Sequence, residues 1–193
     1  MKQFNNKTIN NKGFTLVEML IVISVVSVLS AGVIIFSGIN RASIALLQEQ
    51  YKVINELNQA KALTLQFFDR DVFDSSGDCG YGVHFDTAKN SVLIYKNEKV
   101  TPSESCNSTS THSFLYDASN EIRSKFELTS PVQMALPDFT DIVFVAPNAK
   151  AYMVNSSGSL VLSPPSGYYQ VILTAGENSR SIKINNYGQI SEF

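Results

Sequence analysis

The apolar positions of this chain change their rhythm twice, and the changes divide it into three regions. Met1 to Lys12 is rich in Asn and Lys and has no apolar period, so it predicts no element. Phe14 to Ile39 is apolar almost throughout, with Glu18 as its one ionisable side chain, and Met19 to Ile39 is 21 residues with none. About 20 such residues cross a bilayer as a helix. A helix apolar on all sides is expected in lipid and not on a protein surface. Ser24, Ser27 and Ser30 recur at every third position, with Ala31 and Gly32 beside them. Small residues let membrane helices approach closely, and Ser can bond back to its own backbone. A packing face and ordinary membrane-helix composition both fit this spacing. No Pro interrupts the run, and Gly32 and Gly38 are its only weak points.

The period shortens at Arg41. Leu46/Leu47, Gln50/Tyr51, Val53/Ile54, Leu57, Ala60, Leu63/Thr64 and Phe67 recur in steps of three and four. Gln48, Glu49, Lys52, Asn55, Glu56, Gln59 and Lys61 fill the other side. This is an amphipathic helix. With no Pro or Gly from Arg41 to Phe68, one helix of about 50 residues runs from Thr15 to near Phe68, some 75–80 Å at 1.5 Å per residue. Its outer half has an apolar stripe that the rest of the chain must cover.

Asp69 to Gly80 reads as a loop, and everything after it reads as strand. Tyr81–Phe85 and Val92–Tyr95 flank a polar turn, Asp86–Ser91, and predict a hairpin. Thr101 to Thr111 is a Ser/Thr-rich loop containing Cys106. Further strands are predicted at Phe114–Tyr116, Ile122–Leu128, Val132–Leu136, Ile142–Val145, Ala151–Val154, Leu160–Leu162, Tyr169–Thr174, Ser181–Asn185 and Gly188–Ser191. Ser181–Asn185 alternates strictly, which predicts one buried and one wet face. A long helix followed only by strands is an α+β pattern, with an antiparallel sheet laid over the helix stripe. The domains expected are a leader at 1–13, a membrane helix at 14–39, an amphipathic helix at 40–68 and a β-rich head at 69–193. Without the leader and membrane helix about 154 residues remain, enough for one modest globular domain with its helix.

Charge adds direction. Lys2, Lys7 and Lys12 precede the apolar run with no acid among them. A basic flank stays on the cytoplasmic side, which places the body outside. From Asp69 onward there are 9 basic and 14 acidic residues, so the body offers no electrostatic footprint for DNA or an anionic membrane surface. Cys79 and Cys106 are the two cysteines, both in the exported part, where a pair predicts a disulfide; two free thiols is the alternative. Closing that loop of about 28 residues stabilises by roughly 3–4 kcal/mol in the chain-entropy picture.

The segment Lys12-Gly13-Phe14-Thr15-Leu16-Val17-Glu18 carries the strongest chemical signal. An ordinary secretory signal has a shorter apolar run and a small-residue cleavage site, and Leu29-Ser30-Ala31-Gly32 supplies none. A plain anchor has no need of Glu18. A lone acid costs roughly 2.5–3.5 kcal/mol at mid-membrane and less near the edge. Cutting after Gly13 would give it a partner, the new α-amine of Phe14.

Gly13-Phe14-Thr15-Leu16-Val17-Glu18 resembles the class III signal of type IV pilins and type II secretion pseudopilins. The resemblance implies cleavage after Gly13 by a membrane prepilin peptidase, N-methylation of Phe14, and a role for Glu18 in assembly through a neighbour's N-terminus. It implies a filament subunit, parked in the inner membrane with its N-terminus cytoplasmic and its head outside, then moved by an assembly platform into a pilus or pseudopilus. Its partners would be other pilins or pseudopilins. More diffusely, Tyr81-Gly82-Val83, Phe144-Val145-Ala146-Pro147 and Arg180–Ile190 resemble the H-type minor pseudopilins and minor fimbrial subunits, and so imply a minor subunit. Some minor subunits act as tip receptors for DNA uptake or adhesion, and this is the alternative reading. Arg180 and Lys183 are the cations it would use, although they are isolated in an acidic body and read better as a solvated strand edge.

No enzyme is predicted. His84 and His112 are the only histidines, and no G-x-S-x-G, H-E-x-x-H or glycine-rich phosphate loop accompanies them. No cofactor and no metal are expected. Asp69, Asp71, Asp74 and Asp78 are dense enough for calcium, but their spacing departs from the EF-hand pattern and fits solvated turns. Asn107-Ser108-Thr109 and Asn155-Ser156-Ser157 fit a glycosylation triplet that chance also supplies.

Overall fold

The computed structural model of the 193-residue chain describes residues 13–68, 78–98, 106, 114–136, 138–161 and 167–192, with the backbone alone over 34–40 and 67–68. The Asp69–Asp74 acids, His112 and the Asn107 triplet lie outside the described residues. Among the described residues one helix, α1 (Leu16–Phe68), precedes nine strands: β1 (Asp78–Asp86), β2 (Ser91–Glu98), β3 (Ile122–Glu127), β4 (Gln133–Ala135), β5 (Asp141–Val145), β6 (Lys150–Val154), β7 (Tyr169–Ala175), β8 (Asn178–Ile184) and β9 (Ile190–Glu192). The α+β class is therefore as the pattern predicts. The chain forms two compact units, Met1–Arg41 and Ala42–Phe193.

In the first unit, Leu16–Val33 is 18 residues of helix apolar and long enough to cross a membrane, and none of it is buried. In the second, the strands form two antiparallel sheets. The larger has the order β3-β2-β1-β5-β6 and the smaller β4-β7-β8-β9. One core lies between them and the helix. Leu46, Val53, Leu57 and Ala60 of α1 meet Val83, Phe85, Ile94, Ile142 and Phe144 of the large sheet and Val171, Leu173, Ile182 and Ile184 of the small one. A second core covers the other face of the large sheet, where Leu93, Tyr95, Val143, Val145 and Val154 pack with Cys79, Cys106 and Phe114. The central strands of the large sheet are thus buried on both faces, while its edge strand β3 is largely exposed. That is why Ile142–Val145 of β5 is a continuous apolar run, while Ile182 and Ile184 of β8 alternate with half-buried neighbours.

Two glycines make the large sheet fit. Gly82 pairs with Tyr95 across β1 and β2, and the Tyr95 ring lies over it, so a Cβ there would meet ring atoms at 2.6 Å. Gly80, at φ 152°, brings its Cα against the Phe144 carbonyl, where no Cβ has room.

Several expectations need correction. Phe114–Tyr116 is not a strand; it crosses the outer face of the large sheet, with Phe114 stacked on Tyr152 at 5.0 Å and the Tyr95 hydroxyl donating to the Phe114 carbonyl at 2.8 Å. Its apolar run was legible, but it serves a second core and joins no ladder. The Asp69–Gly80 loop ends earlier, because Asp78–Gly80 already belong to β1. Leu160 makes a single bridge to Val154 in place of a strand. On α1, Glu49 is buried and Tyr51 is 53% exposed, the reverse of the sides assigned from the pattern. Glu49 is neutralised there by Lys52 at 2.8 Å. Arg180 and Lys183 lie on an inner strand of the small sheet and not on an edge.

Candidate functional site

Residues 13–24 are the segment the sequence singles out, and their local geometry follows from Thr15. The Thr15 hydroxyl accepts the Glu18 backbone N–H at 3.2 Å, and the Thr15 carbonyl accepts Met19 N–H at 3.2 Å. Thr15 is thus the N-cap and Glu18 the third helical residue, the spacing of a capping box. The T-x-x-E signal was visible in the sequence and its capping role was missed. Glu18 also lies in the first turn, where the helix dipole favours an anion.

Gly13 and Phe14 precede the cap. Nothing lies within 4 Å of where a Gly13 Cβ would be, and Phe14 is 75% exposed. The Gly13–Phe14 bond is therefore outside the helix and open to a protease. Beyond the cap, the Ser24 hydroxyl donates to the Ile21 carbonyl at 2.7 Å and Ser27 to Ile23 at 2.8 Å. Their polar groups are satisfied within the helix, and the apolar side chains around them stay exposed.

Residues 9–34 match the prokaryotic N-terminal methylation motif. No curated protein and no solved structure matches the chain. The motif supports the pilin and pseudopilin family and a pilin-like substrate of prepilin peptidase. It implies processing by that peptidase and assembly with other pilins, and it points to a structural subunit and not an enzyme. Together with an apolar helix able to span a membrane, it fits a membrane-anchored pilus subunit.

The remaining candidates sit on the head. Cys79, in β1, and Cys106 form a disulfide with Cα atoms 5.2 Å apart, tying the chain at 106 to the large sheet. His84 Nδ1 is 2.9 Å from Asp141 Oδ1, and the Thr140 hydroxyl donates to Asp141 Oδ2 at 2.7 Å. The Asp141 side chain is fully buried, so these two bonds hold a carboxylate in place across β1 and β5. Burial pushes the Tyr95 phenol well above its ordinary range, and the Asp141 carboxylate adds to the shift. Tyr116 rests on His84 with ring centroids 4.8 Å apart. The arrangement staples two strands and the crossing segment.

Near the disulfide, Lys96 Nζ lies 2.8 Å from Asp78 and 3.0 Å from Glu98. Burial works against the ammonium, but the hydrogen bonds it donates to these two carboxylates outweigh that and raise the Lys96 pKa. Of the acidic loop only Asp78 is described, and it is committed to Lys96. Among the described residues no group of three or more His, Cys, Asp or Glu side chains could hold a metal. The cations considered for DNA are also engaged: Arg180 donates to the Gln50 amide oxygen at 3.3 Å, and Lys183 lies over the Tyr168 ring at 4.5 Å.

Proposed function

We propose that this chain is a minor subunit of a type IV pilus or a type II secretion pseudopilus, cut between Gly13 and Phe14 and assembled through its N-terminal helix. The observation that carries the reading is the junction at residues 13–18: an open Gly13–Phe14 bond, then a Thr15 cap that starts a fully exposed apolar helix. Hydrolysis adds water across that amide, freeing the Gly13 carboxylate with the leader and leaving an α-amine on Phe14; N-methylation then uses the unprotonated amine, whose lone pair takes the methyl from a methyl-sulfonium donor that leaves as a thioether. The head stays outside the inner membrane and the leader inside.

Extraction from lipid exposes an apolar helix, and only other such helices can replace the lipid around it. Glu18 then pairs with the Phe14 amine of a neighbour in a dry filament core, which fixes axial register. The minor, H-type assignment rests on the resemblance of three stretches that the fold brings together. Tyr81 pairs with Phe144, Val83 pairs with Ile142, and Gly188 packs against the Phe144 ring, so the three stretches that carry the resemblance form one cluster.

Mass spectrometry of the protein recovered from cells tests the cut: an N-methylated Phe14 start is expected, and an intact Met1 start overturns the reading. Gly13→Leu should leave only the slower-migrating precursor on a gel. Glu18→Ala should be inserted and cut normally but lost from sheared filaments, and normal incorporation counts against the role of Glu18.

A further inference from the structure

We infer that the outer half of α1 pairs with the same helix of a second copy of this chain, side by side and in register. Ile44, Tyr51, Asn58 and Leu65 recur every seventh residue, and Gln48, Asn55 and Ala62 fall between them. Together they step by four and three without a break over three heptads, and every one is exposed. Leu46, Val53 and Ala60, which belong to the core, stand two positions before Gln48, Asn55 and Ala62. Two positions are about 200° round a helix, so this seam faces away from the head.

A solvated helix face is ordinarily charged. This one has no ionisable group except the Tyr51 phenol. Both acids of the stretch, Glu49 and Glu56, lie off it. Among the described residues of the second unit five large apolar side chains are exposed, and three are on this seam: Ile44 at 55%, Tyr51 at 53% and Leu65 at 44%. A face that is depleted in charge and carries an exposed Tyr has the composition of an interface core.

The spacing and the flanks say what covers it. A seam stepping by four and three keeps contact with another helix that crosses at about 20°, and a strand has no matching period. An opposite charge on a partner has nothing to meet here, whereas a second copy meets no repulsion. In a parallel pair the flanking cations Lys52 and Lys61 lie opposite Leu47 and Gln66 of the other copy, so like charges are not opposed. Lys52 is in any case neutralised by Glu49, and Lys61 is held by the Gly188 carbonyl. Asn55, at the middle of the seam, meets its own counterpart. Each amide has a donor and an acceptor for the other, an arrangement that fixes two strands in one register.

The parallel direction rests on the membrane-anchored reading above, in which both copies enter the bilayer from the same side. Confinement there raises the effective concentration, which a seam with amides at its centre needs. A two-fold contact closes on itself and does not propagate, unlike the repeat of a filament. The pair is therefore a form of the subunit held outside the filament.

Single cysteines in the full chain test this, in isolated membranes and in detergent micelles. The native cysteines are joined to each other, so the introduced thiol is the only one. Under mild oxidation Gln48→Cys and Ala62→Cys should each give a disulfide-linked dimer on a non-reducing gel. Lys89→Cys, on the exposed turn between β1 and β2, should give at least about tenfold less. Added to Ala62→Cys, Asn55→Glu or Asn55→Lys should each lower the dimer about tenfold by opposing like charges, and mixing the two forms should restore it. All these positions are exposed, so the far-UV spectrum should not change. The inference is overturned if positions 48 and 62 link no better than 89, if 48 links only to 62 as an antiparallel pair requires, if mixing restores nothing, or if another protein is the main linked partner. Glu18→Ala should pair as the parent does while being lost from filaments, so this inference and the filament reading fail separately.

Discussion

Thr64 is where the helix grips the large sheet, and its hydroxyl can be removed without changing shape. The side chain is fully buried. Its oxygen accepts the Tyr81 backbone N–H at 3.0 Å and lies within donating distance of the Ala60 carbonyl at 3.0 Å and the Phe144 carbonyl at 3.2 Å. Thr64→Val keeps the branched shape and a comparable helix propensity, so the change isolates the hydroxyl. A buried donor that loses an acceptor costs about 1–3 kcal/mol, and the lost donation adds up to about 1 more. The expected loss is about 2–3 kcal/mol, or roughly 4–12 °C in Tm for a body of this size. Thr64→Ser is the control. It keeps the oxygen and removes the methyl that lies 3.2 Å from where a Gly80 Cβ would sit, a loss of about 1 kcal/mol. The expected order in thermal unfolding of the full chain in detergent, followed by near-UV circular dichroism, is Thr, then Ser, then Val. A Val variant as stable as the parent, or a Ser variant worse than Val, would refute the hydroxyl as the link. Under the proposed filament reading the result bears on function, because there the helix carries assembly and Thr64 ties its outer part to the head.

Other expectations can be checked alongside. Asp141→Ala removes the shared acceptor of His84 and Thr140 from a fully buried site and should cost about 1.5–3 kcal/mol or more in the same unfolding assay. Tyr95 and Lys96 both have raised pKa values in the folded head. Their stabilisation is complete below the unfolded-state values, about 10 and 10.4, and is lost as pH rises through the folded ones. Stability should therefore fall above about pH 10, and Lys96→Met should make that fall shallower in an alkaline titration. Thr15→Ala should weaken the first turn of α1 by about 1 kcal/mol, read as faster amide exchange at Glu18 and Met19, with the rest of the helix unaffected.

How much of this was legible differs between the halves for a physical reason. Leu16–Val33 buries nothing among the described residues, so its pattern is read without tertiary context. The run of apolar residues, the glycine and the lone Glu18 are therefore legible in the sequence itself. The head is a different case. β1, β2 and β8 could be located because their alternation or their turn residues are local. Phe114–Tyr116 has the composition of a strand but packs as a cover over the large sheet, and only the position of Cys106 and the Tyr95 hydroxyl decides that. Glu49 looked like a solvent residue because its neighbour Lys52, which neutralises it, has the same look.

The candidate sites follow the same rule. Gly13, Phe14 and Glu18 are adjacent in sequence and could be proposed from it. The Asp141 staple joins residues 57 positions apart, and one cavity brings Tyr168 to Ser191 through a register that no spacing announces. Lys183 shows the consequence most clearly. Read along the chain it is a stray cation beside Arg180, a weak argument for nucleic acid. In the fold the two part company, because successive odd and even positions of β8 face opposite sides. Arg180 turns inward to Gln50, while Lys183 turns outward to the Tyr168 ring. A charge pair that looked like one patch is two residues with separate partners on opposite faces of one strand.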